Sequence, residues 1–279
     1  SIEAYTRDVQ KLADYVSREF PSKSPLVLEL EHLRKFVTAL AKLEISPYSQ
    51  ARIISGIKAF YRFLMYEDRI TEDPAQLLEA PKLGRKLPEV LTIEEIDALL
   101  NAIDLSKNEG HRNRAMLETL YSCGLRVSEL VGLRFSDLFF EEGFIRVIGK
   151  GNKERLVPVS PQVQKEIDIY QQHIRNHLNI QKGSENIVFL NRRGAQLTRV
   201  MVFTIIKNLA ESIGLKKNIS PHTFRHSFAT HLIEGGANLR AIQEMLGHES
   251  ITTTEIYTHL DQRFLRDAIL SYHPRNSKA

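Results

Sequence analysis

Apolar residues recur every three or four positions through the first third of the chain, which is the spacing of amphipathic helices. Three stripes can be followed, the first through Ile2, Tyr5, Val9, Leu12, Ala13 and Val16, the second through Leu33, Phe36, Val37 and Leu40, and the third through Ile53, Ile57, Phe60 and Leu64. The third helix begins with Ser46 as N-cap and Pro47 in its first turn, a combination typical of helix starts. The pattern therefore predicts a helical N-terminal region.

The periodicity stops between Ala80 and Pro88, where the chain is basic and bounded by prolines. This composition is typical of a linker. A new helix is predicted after Thr92, because Thr92 and Glu95 have the spacing of a capping box. We therefore expect a helical domain over residues 1–81, a linker over 82–88 and a second domain over 89–279.

The second domain shows helical patterns except at one pair of β-rich segments, residues 144–148 and 155–159. The connection contains Gly149, Gly151 and Asn152, which tolerate positive φ, so a tight exposed turn is expected. Lys150 would project from that turn. The predicted fold class is mainly α with a small β-hairpin or sheet in the second domain.

Composition narrows the class of protein only slightly. The 279 residues are 42% apolar and 26% charged with a net charge of +4, so any nucleic-acid surface must arise from the placement of charge and not from its excess. Cys123 is the single cysteine, so no intrachain disulfide forms, and its apolar surroundings favour a buried structural thiol. No signal peptide or membrane span is visible, and we expect a soluble cytoplasmic protein without membrane partners.

A cluster of polar groups opens a predicted helix at Ser220-Pro221. His222, Arg225 and His226 fall on one face of its first turn, where free N–H groups favour phosphate oxygens. Metal binding by the two histidines is a weaker alternative, because the sequence offers no third ligand at useful spacing. A structural role is more plausible for His226 than for His222, since His226 leads into an apolar run.

Other candidate groups are ordinary when taken singly. Arg126 and Glu129 have the spacing of a helical ion pair, His248 follows a glycine that ends a helix, and Tyr257 lies nine residues later. Basic positions on the third helix indicate either a solvated face or a face against phosphates; they are Arg52, Lys58 and Arg62. Together, a phenol, two arginines, two histidines and a lysine are what metal-free phosphoryl transfer requires.

Four ordered segments, 119–130, 147–155, 220–231 and 246–259, carry a specific resemblance. They make the chain similar to the tyrosine recombinase (phage integrase) family, in particular to its bacterial Xer branch, over nearly the whole length. The ending Tyr272-His-Pro-Arg275 favours that branch. The chain starts inside the family's Ile-x-x-Tyr-x-Arg-Asp motif, so the usual preceding helix is expected to be absent, as in a truncated or unusual member.

The resemblance implies a role for each matching residue. Tyr257 would be the nucleophile that forms a 3′-phosphotyrosyl link to DNA. The remaining implied roles are phosphate binding by Arg126 and Arg225, protonation of the departing 5′ oxygen by Lys150, acid/base catalysis by His222, transition-state stabilisation by His248 and an accessory orienting role for Glu129. No cofactor and no metal are implied.

The resemblance also implies an architecture and partners. Such proteins form a two-domain, C-shaped clamp on double-stranded DNA, with a SAM-like helical core-binding domain opposite the tyrosine recombinase catalytic domain. Arg52, Lys58 and Arg62 would then face DNA. Four protomers, of one kind or two, would assemble on two recombination sites through the C-terminal helix that contains Leu260, Phe264, Leu265 and Ile269.

The expected function is site-specific recombination that resolves chromosome or plasmid dimers and thereby serves chromosome partition in cell division. Three alternatives stay open at this point. The first is the integrase or transposase of a mobile element, the second a DNA-binding protein without catalysis, and the third a relaxing enzyme of the type IB topoisomerase kind.

Overall fold

The computed structural model describes residues 2–84, 89–247 and 259–275, apart from the side chains of residues 2–4, 150 and 259–263. The chain divides into two compact units, residues 1–86 and residues 87–279. Each unit has its own hydrophobic core.

Within the described residues, the first unit contains a short 3₁₀ helix, Pro25–Val27, and three α-helices, α1 (Ile2–Glu19), α2 (Leu30–Lys42) and α3 (Pro47–Tyr66). Their apolar stripes form the core as predicted, with Leu12, Leu33 and Ile57 almost fully buried. Ser46 caps α3 by accepting a hydrogen bond from the Ser49 N–H. The predicted stripe is wrong at Tyr5, which is exposed at the surface.

A charged residue lies on the buried face of α1. Asp8 is fully buried and pairs with the guanidinium of Arg52 on α3. A Cβ on Gly56 would lie 3.3 Å from the Asp8 side chain, so α1 and α3 approach closely at this glycine. The ion pair therefore offsets the charge of a carboxylate that the close helix crossing removes from water, but it reaches only Oδ2, and Oδ1 is buried without a hydrogen-bond partner among the described residues.

The second unit contains eight α-helices within the described residues. They are α4 (Ile93–Asn101), α5 (Gly110–Ser122), α6 (Val127–Val131), α7 (Pro161–His173), α8 (Arg199–Ser212), α9 (Pro221–Gly235), α10 (Leu239–Leu246) and α11 (His259–Tyr272). The central element is α5, which is buried from Ala115 to Ser122 and packs against α7 and α9. The predicted capping box of Thr92 and Glu95 starts α4, and Gly236 ends α9 with φ 99°.

A three-stranded antiparallel sheet completes the second unit. Its order is β1 (Leu138–Phe139), β2 (Phe144–Ile148) and β3 (Glu154–Pro158). The predicted hairpin is confirmed, with Ile148 opposite Glu154 at its tip. The strand β1 was missed because two residues carry no alternation. Of the three turn residues expected to tolerate positive φ, Gly151 and Asn152 adopt it, whereas Gly149 is extended at φ −95°.

The fold class predicted from sequence, mainly α with a small sheet, is confirmed. Cys123 is fully buried in the core of the second unit, and burial raises the pKa of its thiol, so it is the structural residue that its surroundings indicated. Within the described ranges, no helix combines the length and apolar character that a membrane crossing needs.

The last helix, α11, packs on its own unit against β3, α9 and α10. Leu265, Ala268 and Ile269 are buried there, while Phe264 remains partly exposed. Beyond it, His273 is fully buried against the rings of Tyr121 and Phe228. Arg275 lies over the Tyr121 ring and pairs with Glu118 and Asp97. The C-terminal motif thus fixes the end of α11 to α4 and α5.

Candidate active site

Glu129 lies in the first turn of α6 and is the centre of a cluster of arginines. Its carboxylate accepts a hydrogen bond of 2.8 Å from the Arg126 backbone N–H and one of 2.9 Å from Arg126 Nη1. The ion pair predicted from the i, i+3 spacing is therefore present. Glu129 is almost fully buried, whereas Arg126 keeps 36% of its side chain exposed. Arg126 consequently presents a guanidinium to solvent from a rigid position.

Arg155 on β3 completes the hydrogen bonding of this carboxylate, and it was not among the site residues predicted from the sequence. Its Nη1 and Nη2 donate to the two oxygens of Glu129 at 2.8 and 2.9 Å, a bidentate pair. One signal was available in the sequence. Strand alternation places Arg155 on the same face as the buried Val157, and an inward-facing arginine requires an acidic partner.

Arg225, in the first half of α9, approaches the same carboxylate from another direction. Its Nη1 lies 3.9 Å from Glu129 Oε2 and donates to the Gly124 carbonyl at 2.7 Å, and its Nη2 donates to the Leu246 carbonyl. The side chain is only 11% exposed. Gly124 must be a glycine here, since its φ is +56° and a Cβ would lie 2.4 Å from Phe228 Cδ1.

The C-terminal end of α10 is bound by all three arginines. Arg155 Nε donates to the Met245 carbonyl at 2.6 Å, Arg225 to that of Leu246, and Arg126 Nη2 lies 3.5 Å from that of Gly247. These carbonyls are free because a helix leaves its last acceptors unpaired, and their partial negative charge favours cations. Gly247 ends α10 in the left-handed conformation, with φ 64°.

The electrostatics of the cluster favour bound anions. Burial alone would raise the pKa of Glu129, but the hydrogen bonds and charge of Arg155, together with the hydrogen bonds of Arg126, bring that pKa below its ordinary value. Burial and the neighbouring Arg126 lower the pKa of Arg225 to about 10, so Arg225 stays charged at neutral pH. One carboxylate is thus surrounded by three guanidiniums, and the cluster is cationic.

Two predicted site residues directly follow, in the sequence, glycines whose backbone lies beside this cluster. A Cβ on Gly149 would lie 3.6 Å from Glu129 Oε1, so the turn that carries Lys150 begins beside the carboxylate. His248 directly follows Gly247 in the chain, but it lies outside the described residues. Tyr257 and the Lys150 side chain likewise lie outside them.

His222 and His226 are both exposed on α9 beside the buried Arg225. His222 is therefore accessible to a ligand at this end of the helix. The structural role favoured for His226 has no support, because this side chain does not enter the core. In the described part of the chain, no three His, Cys, Asp or Glu side chains are grouped as a metal ion would require.

The three basic residues predicted on α3 differ in their surroundings. Arg52 is exposed but held by the buried Asp8, whereas Lys58 is half-buried and donates to the Gln76 carbonyl at 3.2 Å. Arg62 is exposed. The three side chains therefore do not form one equally accessible row.

Comparison with known proteins decides the family. Residues 89–263 match the phage integrase family, and residues 1–68 match the N-terminal SAM-like domain of phage integrases. The chain belongs to the phage integrase family. These matches, together with the relatives described next, confirm the motif-based prediction of an Xer-type tyrosine recombinase, so the chain is a site-specific DNA recombinase.

Individual relatives cover almost the full chain. It is 41% identical to tyrosine recombinase XerD of Listeria innocua over 275 residues, which is 99% of this chain and 93% of the relative. It is 42% identical to tyrosine recombinase XerD of Staphylococcus aureus, with 99% and 92% covered.

Solved structures share the fold. The XerH site-specific recombinase bound to a palindromic difH substrate has a TM-score of 0.72 at 24% identity, with 96% of this chain and 79% of that one covered. The XerA recombinase has a TM-score of 0.53 at 27% identity, with 99% and 94% covered.

Proposed function

We propose that this recombinase cuts and rejoins DNA through a 3′-phosphotyrosyl intermediate formed by Tyr257. The observation that carries the proposal is the pair of arginines, Arg126 and Arg225, held beside one buried carboxylate. Two guanidiniums at fixed positions can bind the two non-bridging oxygens of a phosphodiester and stabilise the charge that grows on them during attack.

The chemistry follows from these groups. The Tyr257 oxygen attacks phosphorus, the bond to the 5′ oxygen breaks, and Lys150 supplies the proton that this leaving oxygen requires. His222 takes the phenolic proton or returns it in the reverse step, and His248 donates to the transition state. A 5′ hydroxyl from the partner duplex then attacks the phosphotyrosyl ester and releases Tyr257.

Side chains alone supply the charge in this proposal. The ester conserves the energy of the broken phosphodiester, so the reaction as proposed needs no nucleotide cofactor and no metal. Glu129 does not touch the substrate in this scheme. Instead, it fixes the direction of Arg126 through two hydrogen bonds. Preorganised donors of this kind account for a large share of catalysis in phosphoryl transfer.

We further propose that the two domains, 1–81 and 89–279 with the linker 82–88 between them, close around double-stranded DNA as a C-shaped clamp. Of the three basic residues on α3, Arg62 and Arg52 are the ones that we propose as phosphate contacts, because both are exposed and Arg52 is also held in place by Asp8. Lys58 would have to leave the Gln76 carbonyl to take part.

The assembly that we propose is a tetramer, of one protomer type or two, on two recombination sites, with contacts through the C-terminal helix. In the present structure α11 buries Leu265 and Ile269 in its own unit. Contacts in a tetramer would therefore use the exposed face around Phe264, or an exchange of the helix between protomers.

The biological role that we propose is the resolution of chromosome or plasmid dimers in the cytoplasm, in support of chromosome partition at cell division. Identity of 41–42% over nearly the full length of proteins named XerD supports this role over mobile-element integration.

The nucleophile can be tested with a nicked suicide substrate that traps the covalent intermediate. Wild-type protein should form an adduct that survives denaturing electrophoresis, and Tyr257→Phe should bind the same DNA without forming one. Tyr272→Phe is the matched control, because Tyr272 is an exposed tyrosine at the end of α11, and it should form adduct normally. An adduct formed by Tyr257→Phe would refute the assignment.

Two further assays separate the open alternatives. Relaxation of a plasmid that lacks any recombination site would indicate a type IB topoisomerase-like activity. Exchange between two sites on one plasmid, with and without a sister recombinase, distinguishes self-pairing from a two-protein system.

A further inference from the structure

Arg155 is a buried arginine whose three nitrogens each donate a hydrogen bond to another protein group. Its Nη1 and Nη2 donate to Glu129, and its Nε donates to the Met245 carbonyl at 2.6 Å. The residue is only 5% exposed. Arg155 therefore lacks the access to solvent that binding a DNA phosphate requires, in contrast to Arg126, whose side chain is 36% exposed.

The groups that Arg155 joins come from three separate parts of the sequence. It lies on β3, the carboxylate of Glu129 lies on α6, and the carbonyl of Met245 lies at the end of α10, 90 residues further along the chain. Few single side chains can hold a helix end and a carboxylate together, and the planar, fork-shaped guanidinium does so with defined directions.

The same side chain also contacts the backbone on either side of the site. A Cβ on Gly247 would lie 3.1 Å from Arg155 Cδ, and one on Gly149 would lie 3.7 Å from Arg155 Nη1. Gly149 precedes Lys150, and Gly247 precedes His248. Gly247 therefore allows the backbone to approach Arg155 closely just before His248, whereas the backbone of Gly149 lies at ordinary contact distance from Arg155 just before Lys150.

A role limited to stability does not account for this arrangement. A buried ion pair contributes little net stability compared with apolar residues of similar volume, because both charges lose their hydration. The Arg155–Glu129 pair instead fixes the orientation of neighbouring groups. It fixes the carboxylate that orients Arg126, and it fixes the helix end that leads to His248.

We infer that Arg155 is a positioning residue for strand cleavage, which sets the Glu129 carboxylate and the end of α10 so that Arg126, Lys150 and His248 meet the scissile phosphate. The inference rests on the proposed roles of those three residues. Arg155 acts through them and does not touch the substrate.

The main test uses Arg155→Met, which removes the charge and the hydrogen bonds but keeps much of the apolar stem. Cleavage of the nicked substrate, measured at saturating protein, should slow about 100-fold, since small misplacements of catalytic groups have effects of that order. The Kd for the DNA site should change less than about threefold, because Arg155 contributes no phosphate contact.

Two further variants complete the design. Arg155→Lys keeps the charge beside Glu129 but lacks a donor in the Nε direction, so we expect cleavage slowed about tenfold, part-way between Met and wild type. Arg146→Met is the matched control, because Arg146 is an arginine of the adjacent strand β2 that pairs with Asp137 away from the cluster. Its cleavage rate should equal that of wild type.

The pH dependence separates positioning from general destabilisation. In Arg155→Met the carboxylate of Glu129 stays buried but loses its main cationic partner, so its pKa should rise. Protonated Glu129 no longer orients Arg126. The ratio of wild-type to variant cleavage rates should therefore increase as the pH falls from about 8 to about 5.5.

Wild-type cleavage rates in folded Arg155→Met, or a rate ratio that does not vary with pH, would overturn the inference. If Arg155→Met fails to fold, Arg155→Lys carries the test, and a wild-type rate for that variant overturns it. Arg126→Ala and Arg225→Ala report on the proposed function separately. If these two variants cleave normally, the phosphate site itself is wrongly assigned. If they lose cleavage while the Arg155 variants cleave normally, only the positioning role of Arg155 is refuted.

Discussion

Replacing Glu129 by Gln tests whether the arginine cluster is organised by one negative charge. The substitution keeps the shape of the side chain, but it removes the charge and turns one acceptor oxygen into an NH₂ donor. That donor would face N–H groups of Arg126 or Arg155, which now donate to both oxygens. At least two hydrogen bonds are lost, and Arg155 remains as a buried cation without its counter-charge.

The magnitude follows from the burial of both partners. Removing one member of a buried ion pair costs about 3–5 kcal/mol, and Gln recovers part of this through its remaining oxygen, so we expect a loss of about 3 kcal/mol. For a unit of about 200 residues, each kcal/mol lowers Tm by about 2–4 °C. The expected decrease in Tm is therefore about 6–12 °C.

Thermal unfolding followed by circular dichroism provides the assay, with Asp137→Asn as the control. Asp137 accepts two hydrogen bonds from Arg146, whose side chain is 37% exposed, so water can replace the lost partner and the cost should stay near 1 kcal/mol. A Tm for Glu129→Gln within about 2 °C of wild type, or an equal decrease for both variants, would refute the reasoning.

The difference in stability between wild type and Glu129→Gln should change with pH in a defined direction. The pKa of Glu129 is lowered in the folded protein, so its contribution to stability is complete above the ordinary carboxyl value of 4.5 and is lost as the pH falls through the lowered value. The stability difference between wild type and Glu129→Gln should consequently shrink when the pH is brought below 4.5. A difference that grows on acidification would contradict this.

Two other substitutions have expected outcomes that the structure defines. Arg275→Met should lower the free energy of unfolding, measured in urea, by about 3 kcal/mol, because Glu118 loses its buried partner. Burial raises the pKa of Glu118, so protonation of Glu118 should make this loss of stability smaller as the pH falls from about 8 to about 5. Gly124→Ala should lower the free energy of unfolding by more than about 2 kcal/mol, since φ is +56° and the new Cβ would lie 2.4 Å from the Phe228 ring. Gly183→Ala, at φ +90° in open space, should lower it by only about 1 kcal/mol in the same urea titration, through backbone strain alone. Equal losses at the two glycines would contradict the packing argument.

Local patterns were sufficient to predict most elements. Helix α3 starts at Pro47 after the Ser46 cap, and α10 runs from Leu239 to Leu246 before Gly247, as their sequences indicate. Caps, C-terminal glycines and apolar periodicity depend on interactions within a few residues, so they can be read from the local sequence. The strand β1 was missed for the same reason, because two residues are too short for a pattern.

Buried charges were harder to predict. Asp8 lies on the apolar stripe of α1, and Arg155 lies on the inward face of β3, yet neither sequence neighbourhood contains the partner that makes burial possible. The partners are Arg52 and Glu129, which are 44 and 26 residues away. Periodicity alone shows that such a residue points inward, but not which residue pairs with it.

The sequence by itself determined the helices, the hairpin, the family and the identity of the chemical groups. Only the tertiary structure decided that Arg126, Arg155 and Arg225 share one carboxylate, and that their guanidiniums bind the last carbonyls of α10, up to 121 residues away. The physical reason is that secondary structure depends on interactions between near neighbours, whereas this cluster depends on how the packed core brings distant helix ends and a strand together.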